Sequence, residues 1–239
     1  MNKIMKMATV VAGVGAMLSF AGCGSKAPDQ VALDVLKTLQ EGKADQAFLE
    51  KNCTKETAGV FVAFGSMMQE ATKGATWTAS QTYVDDDIAT VVIEQSGGEK
   101  PGRDTYYLKK IDGQWKLHMD KENPGKDMIS KKTATELVQT LKNDVLITFN
   151  EQELSKKATP EFVAKWKDEF GSANRPVMTE KDKKDLAEIE NATFTVESSI
   201  DKHNPESGVV KFKSSSAKFG QGRISVKRIN GVWKLDDLR

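Results

Sequence analysis

Two histidines, two cysteines and three tyrosines are few for 239 residues, which leaves little besides carboxylates, lysines and hydroxyls for metal binding and for nucleophilic or acid–base chemistry. His118 and His203 stand far apart, and neither has a Glu or Asp at ligand spacing, so the sequence predicts no metal site. No Walker loop, dinucleotide fingerprint, serine-centred nucleophile elbow or zincin motif occurs, and no cofactor is expected. Charge of one sign is also lacking. The 35 Lys and Arg stand against 34 Asp and Glu, interspersed and without a basic stripe, which excludes nucleic acid as an expected partner. Long apolar runs are missing too: Met7 to Phe20 is uncharged and largely apolar, but its 14 residues are too few for an ordinary spanning helix.

What the chain does have is material for a core and a short stretch used twice. Hydrophobic residues make up 38% and charged residues 29%, with 10 Phe and 4 Trp, which suits a soluble folded chain. Residues 108–117 read Leu-Lys-Lys-Ile-Asp-Gly-Gln-Trp-Lys-Leu, and residues 226–235 read Val-Lys-Arg-Ile-Asn-Gly-Val-Trp-Lys-Leu. Asp112-Gly113 and Asn230-Gly231 are dipeptides that tolerate two successive positive φ angles, so each copy predicts a two-residue hairpin turn. Gly113 and Trp115 in one copy, Gly231 and Trp233 in the other, are the structural markers of a domain built once and duplicated.

The rest of the chain agrees with duplication. Pro28 and Asp29 open a helix whose face is Val31, Ala32, Val35, Leu36 and Leu39, with Gly42 at its end. A short helix is expected around 44–51, and a third behind Thr54 through Val60, Phe61, Phe64, Met67 and Met68. From Ala75 the period changes to strands, with turns at Asp85-Asp86-Asp87 and Ser96-Gly97-Gly98. The three aspartates lack the alternation and closing Glu of a calcium loop and predict a solvated turn. In the second copy Thr133 with Glu136 reads as a capping box, Leu137, Val138, Leu141 and Val145 as the stripe, and Thr159-Pro160-Glu161 as the start of the third helix. Leu49–Glu56 aligns with Leu154–Glu161, and Ala75–Thr78 with Ala192–Thr195. The larger offset of the second pair places a charged insertion near 171–190. Helices followed by a strand meander, twice, predict an α+β fold.

The N-terminus carries its own signal. Lys3 and Lys6 precede the apolar run, which ends in Ser19-Phe20-Ala21-Gly22-Cys23. Small residues directly before a cysteine resemble the lipobox of bacterial lipoproteins, although Phe20 stands where Leu is usual. The resemblance implies a signal peptide over 1–22, lipidation of Cys23 and a tether over 23–29. Gly24 and Ser25, with no Asp after the cysteine, resemble lipoproteins released to the outer membrane, so the expected location is the bacterial cell envelope, lipid-anchored. Cys53 is then the only thiol left; it aligns with Ala158 and reads as a small buried position.

The two copies themselves resemble the nuclear-transport-factor-like (cystatin-like, SnoaL-like) superfamily, on their helices, their meander and the Gly turn before Trp-Lys-Leu. The resemblance implies two tandem cone domains, each with N-terminal helices packed on a curved antiparallel sheet, over 30–122 and 133–239 with a linker over 123–132. Enzymes of that superfamily place an acid or His with a Tyr in the cone mouth, and no such set matches here. Trp77, Tyr83, Tyr106 and Phe194 are the residues that would line a pocket. The expected function is a non-catalytic ligand-binding or envelope assembly module, partnered by the membrane through its lipid and by a small apolar ligand or an envelope protein. The alternatives are a structural envelope protein that uses its sheet faces for contact, and an isomerase-, dehydratase- or hydrolase-like enzyme with a cone pocket.

Overall fold

The computed structural model describes residues 25–99, 101–120, 122–170, 179–201 and 203–238. The leader with Cys23, and positions 171–178 of the insertion, lie outside the described residues.

Three helices open the first half: α1 (Pro28–Gln40), α2 (Gln46–Asn52) and α3 (Lys55–Ala71). Pro28 suits the first turn because the amide hydrogen it lacks has no partner there, and Val31, Ala32, Val35, Leu36 and Leu39 form the buried stripe. The Asp45 carboxylate caps α2, accepting from the Phe48 amide at 2.7 Å. Four antiparallel strands follow in sequential order: β1 (Thr76–Asp85), β2 (Ile88–Ser96), β3 (Gly102–Ile111) and β4 (Gln114–His118). The second half repeats this order. Helix α4 (Lys131–Thr140) continues into a π-helical segment (Leu141–Ile147), then come α5 (Glu151–Lys157), α6 (Pro160–Phe170) and α7 (Glu180–Glu190). The strands β5 (Phe194–Asp201), β6 (Asn204–Ser214), β7 (Gln221–Ile229) and β8 (Val232–Leu238) form the second four-stranded antiparallel sheet.

The duplication extends to single hydrogen bonds. The Thr54 amide donates to the Leu117 carbonyl at 2.8 Å, and the Thr159 amide donates to the Leu235 carbonyl at 2.8 Å. Asp112 and Gly113 have φ of 51° and 77°, Asn230 and Gly231 have 52° and 82°, which are the successive positive angles a tight hairpin of this twist needs. The insertion supplies α7, which buries no residue.

Each sheet closes over its own helices. Leu36, Leu49, Phe61, Val91, Trp115 and Leu117 belong to the first core, and Leu137, Leu154, Phe162, Val210, Trp233 and Leu235 to the second. At ~1.5–3 kcal/mol for each large side chain fully buried, these stripes are what hold the layers. Strand β2 is different. Ile88 through Ile93 are all buried, whereas β6 alternates. Ala89, Val91 and Ile93 face the first core, while Ile88, together with Tyr107 of β3, joins the second. The first sheet is therefore covered on both faces, by its own helices and by the second copy, which accounts for a continuous β-branched run where a half-exposed strand alternates.

Several local expectations are corrected. Helix α4 starts at Lys131, and its cap is Ser130, whose hydroxyl oxygen accepts from the Thr133 amide at 3.1 Å. The Thr133–Glu136 box is displaced because Ser130 is itself anchored from the first copy. Thr54 makes no side-chain cap bond to α3; its hydroxyl pairs instead with Thr57 Oγ1 at 2.9 Å and His118 Nδ1 at 3.3 Å. The helix through Val145 widens to π geometry after Thr140, with Leu141 and Val145 both in the core.

Candidate functional site at the seam between the copies

Two polar constructions hold the copies together. The first is at the tip of the β1–β2 hairpin, where Asp86 turns the chain with φ of 58°. The Asp85 carboxylate accepts from the Ser130 amide at 2.9 Å, the Ser130 hydroxyl at 2.9 Å and the Thr133 hydroxyl at 2.6 Å. A negative charge from one copy thus sits at the positive N-terminal end of a helix of the other. The expectation of a solvated turn fails at Asp85, because the start of α4 supplies three donors to it.

The second construction is Arg228 on β7, only 4% exposed. Its guanidinium carbon lies 4.3 Å from the Trp233 ring centre and 4.4 Å from that of Tyr83. Nη2 reaches Thr90 Oγ1 at 3.5 Å, while Nε and Nη1 find no hydrogen-bond partner among the described residues. Burial pushes the guanidinium down to about 10, with Tyr83 and Asp85 pulling the other way, so it remains charged at neutral pH. The Tyr83 hydroxyl donates to Glu206 Oε1 at 3.2 Å, and burial, followed by the Glu206 charge, raises its pKa. A Cβ on Gly231 would stand 3.9 Å from Tyr83 Cδ1, so the hairpin turn of the second copy abuts this ring.

Two clefts open along the same seam. One, of about 330 Å³, takes Asp87 and Lys109 from the first copy, Asp127 and Lys131 from the connection and the start of α4, and Ile129 and Val196 as apolar wall. The other, of about 250 Å³, lies between Arg103, Asp104 and Thr105 of β3, His203 of the β5–β6 turn and Pro205 of β6.

The four aromatics expected in a pocket are not brought together. Trp77 is buried in the first core, its indole donating to Gln95 Oε1 at 3.2 Å. Tyr106 packs on the same core, its phenol pushed up to about 12, by burial first and then by the Asp104 charge. Phe194 packs on the second core, edge-on to Phe219 at 5.2 Å with the Lys142 ammonium 5.6 Å away. Tyr83 belongs to the seam, and none of the four lines either cleft. Two separate cores divide the aromatics of the two sheets. Cys53 is 1% exposed and burial pushes its thiol up to about 12, which disfavours the thiolate. His118 is half-buried against Thr54, and burial, followed by Lys109, lowers its pKa. Gly113 and Gly231 form the turns, with Trp115 and Trp233 buried behind them.

Asp85 and Arg228 escaped the sequence reading. Arg228 occupies the place of Lys110 in the first copy, and that change was the one available signal. Among the described residues no group of three His, Cys, Asp or Glu is placed to hold a metal, and no helix is long and apolar enough to cross a membrane. Comparisons of the chain with protein-family models, with curated proteins and with solved structures found no match.

Proposed function

We propose that this chain is a lipid-anchored bacterial envelope protein whose two tandem cone-like domains form a non-catalytic binding module. The observation that carries the binding reading is the 330 Å³ cleft, because both copies contribute to it and neither would form it alone. Its size is at the lower end for small-molecule sites. Lys109 and Lys131 face the same space as Asp87 and Asp127, beside the apolar wall of Ile129 and Val196. That lining suits a small molecule carrying both charges and an apolar part, or a short peptide, better than the small apolar ligand that was one of the partners expected from sequence.

Support for the cone geometry comes from the sheets. Helices pack on one face of each meander, and register shifts at Ala79/Gln81, Ile200/Asp201 and Ser225/Val226 add the local bends that curve a sheet. Support for the anchor comes from Lys3, Lys6, the uncharged run and Ala21-Gly22-Cys23. In that reading the Cys23 sulfur takes a diacylglyceryl group from a phospholipid, whose head group and the thiol proton leave. Water then cleaves the Gly22–Cys23 bond, and outer-membrane release follows from the residues after Cys23.

Native mass spectrometry on the processed protein, purified gently from its own host, tests the binding reading. A stoichiometric extra mass that disappears on Val196→Trp, which fills the cleft, is the expected result. A clean mass for both forms would overturn small-molecule binding.

A further inference from the structure

Helix α3 is unusual for its position on the surface. From Thr57 to Met68 it carries no charge, yet only Thr57, Ala58 and Phe61 are buried. Val62 is 62% exposed, Phe64 48% and Met67 63%, and Ala63 is exposed beside them. A surface helix ordinarily puts polar residues on the face away from the core.

The second copy shows that the fold does not require this. Aligned through Thr54 and Thr159, Phe61 corresponds to Trp166, and both are buried. Half-buried Val60 and exposed Val62, Ala63 and Phe64 correspond to Lys165, Lys167, Asp168 and Glu169, and these four charged residues are all exposed. There Lys165 pairs with Asp237 at 2.9 Å and Lys167 with Glu151 at 2.8 Å. The same helix is thus charged on its outer face in one copy and apolar in the other.

The apolar version belongs to the copy next to the N-terminus. Cys23 stands five residues before Pro28, the start of α1, a chain length that spans at most ~17 Å. Helix α3 packs directly on α1. An acyl anchor on Cys23 therefore holds α3 close to a bilayer, while the copy with the charged helix has no such tether. Lys55 and Glu56 at one end of α3 offset each other, as do Glu70 and Lys73 at the other, so no excess of positive charge selects anionic lipid.

We infer that the flank of α3 formed by Val60, Phe64 and Met67, which share one side of the helix at i, i+4 and i+7, is a membrane-docking surface that lies in the head-group region of a lipid bilayer. This rests on the lipid-anchored reading. Docking would orient the module on the membrane.

The test uses the full processed chain reconstituted in phosphatidylcholine vesicles, with Cys53→Ala as background, since the second copy has Ala158 at that place. A nitroxide is attached at Phe64→Cys, or at Glu169→Cys as the control. The label at 64 is expected to be several-fold more accessible to oxygen, relative to a water-soluble nickel chelate, than the label at 169. Adding Phe64→Glu, the charge that the second copy carries at Glu169, should return a label at Met67→Cys, one turn away, to water without changing the melting temperature. Equal water accessibility at 64 and 169 on vesicle-bound protein would overturn the inference alone. Spin–spin broadening at 64 would overturn it in favour of a second copy of the chain. Failure of the protein to float with the vesicles would remove the anchor, and this inference with it.

Discussion

The guanidinium of Arg228 lies 4.4 Å from the ring centre of Tyr83, so that a cation of the second copy is covered by an aromatic of the first. The other side of the same cation is covered by Trp233 at 4.3 Å. In the first copy the equivalent pair, Lys110 over Trp115 at 5.6 Å, has its lysine in solvent. One hairpin motif therefore serves two purposes: an exposed turn in the first copy, and a clamp on the neighbouring sheet in the second. A planar guanidinium stacks between two rings in a way that an ammonium does not.

Tyr83→Ala should lower stability by about 2 kcal/mol, since it removes one wall from a largely desolvated cation. Arg228→Met should cost less. It keeps an apolar stem and removes a buried charge whose Nε and Nη1 have no partner among the described residues. Lys110→Met should stay within about 0.5 kcal/mol, as exposed changes usually do. Urea unfolding of the three variants gives the order; if Arg228→Met is the most damaging, the attraction to the rings outweighs the cost of burying the charge.

Asp85→Ala should destabilise by about 2–3 kcal/mol, because it strips three hydrogen bonds from the start of α4 and leaves the buried Ser130 hydroxyl without this acceptor. Asp85→Asn keeps one acceptor oxygen for the two hydroxyls but turns an NH2 donor toward the Ser130 N–H, so it should cost more than the about 0.3–1 kcal/mol of the charge at the helix end alone. A double-mutant cycle with Ser130→Ala should show strong coupling. Additive losses would mean that the tie across the seam contributes little.

Which parts of this structure were legible in the sequence depended on how local their causes are. The hairpins at Asp112-Gly113 and Asn230-Gly231 follow from two residues each, and the α1 stripe from periodicity, so both could be read directly. The continuous run Ile88–Ile93 was visible as a strand, but its reason, a second copy packed on its outer face, is not local. Asp85 and Arg228 were missed for the same cause. Each is polar and next to a turn, where solvent is the ordinary partner, and only the docking of one half on the other buries Arg228 or supplies donors to Asp85. The four aromatics considered for a pocket are divided among both cores and the seam, Trp77 and Tyr106 at the first core, Phe194 at the second and Tyr83 against Arg228, a partition that alternation along a strand does not reveal.

Trp115→Ala and Trp233→Ala should each cost about 3–5 kcal/mol, as large-to-small changes at buried aromatics do. Trp233→Ala should be the more damaging, since it also uncovers Arg228. Calorimetry distinguishes the two effects: a loss at Trp115 confined to the first half would split the unfolding transition, whereas the seam should keep it single. Equal, small losses would mean that the rings do not carry the cores.

His118 should set part of the acid sensitivity. Burial lowers its pKa below the ordinary value of 6.5, so over the window between the folded value and 6.5 the unfolded chain binds more protons than the folded one. The stabilising contribution of the neutral imidazole is therefore complete above 6.5, and it is lost as pH falls through the folded value. The structural counterpart is the contact of Nδ1 with the Thr54 hydroxyl at 3.3 Å, at the start of α3. His118→Gln removes the titration and retains a polar group beside Thr54. Stability measured by urea unfolding from pH 7.5 down to 5 should fall less steeply in the variant than in the parent. Parallel profiles would show that His118 has the same pKa folded and unfolded, and would move the acid response to carboxylates such as Glu56 and Asp120, whose lowered values act further down the pH scale.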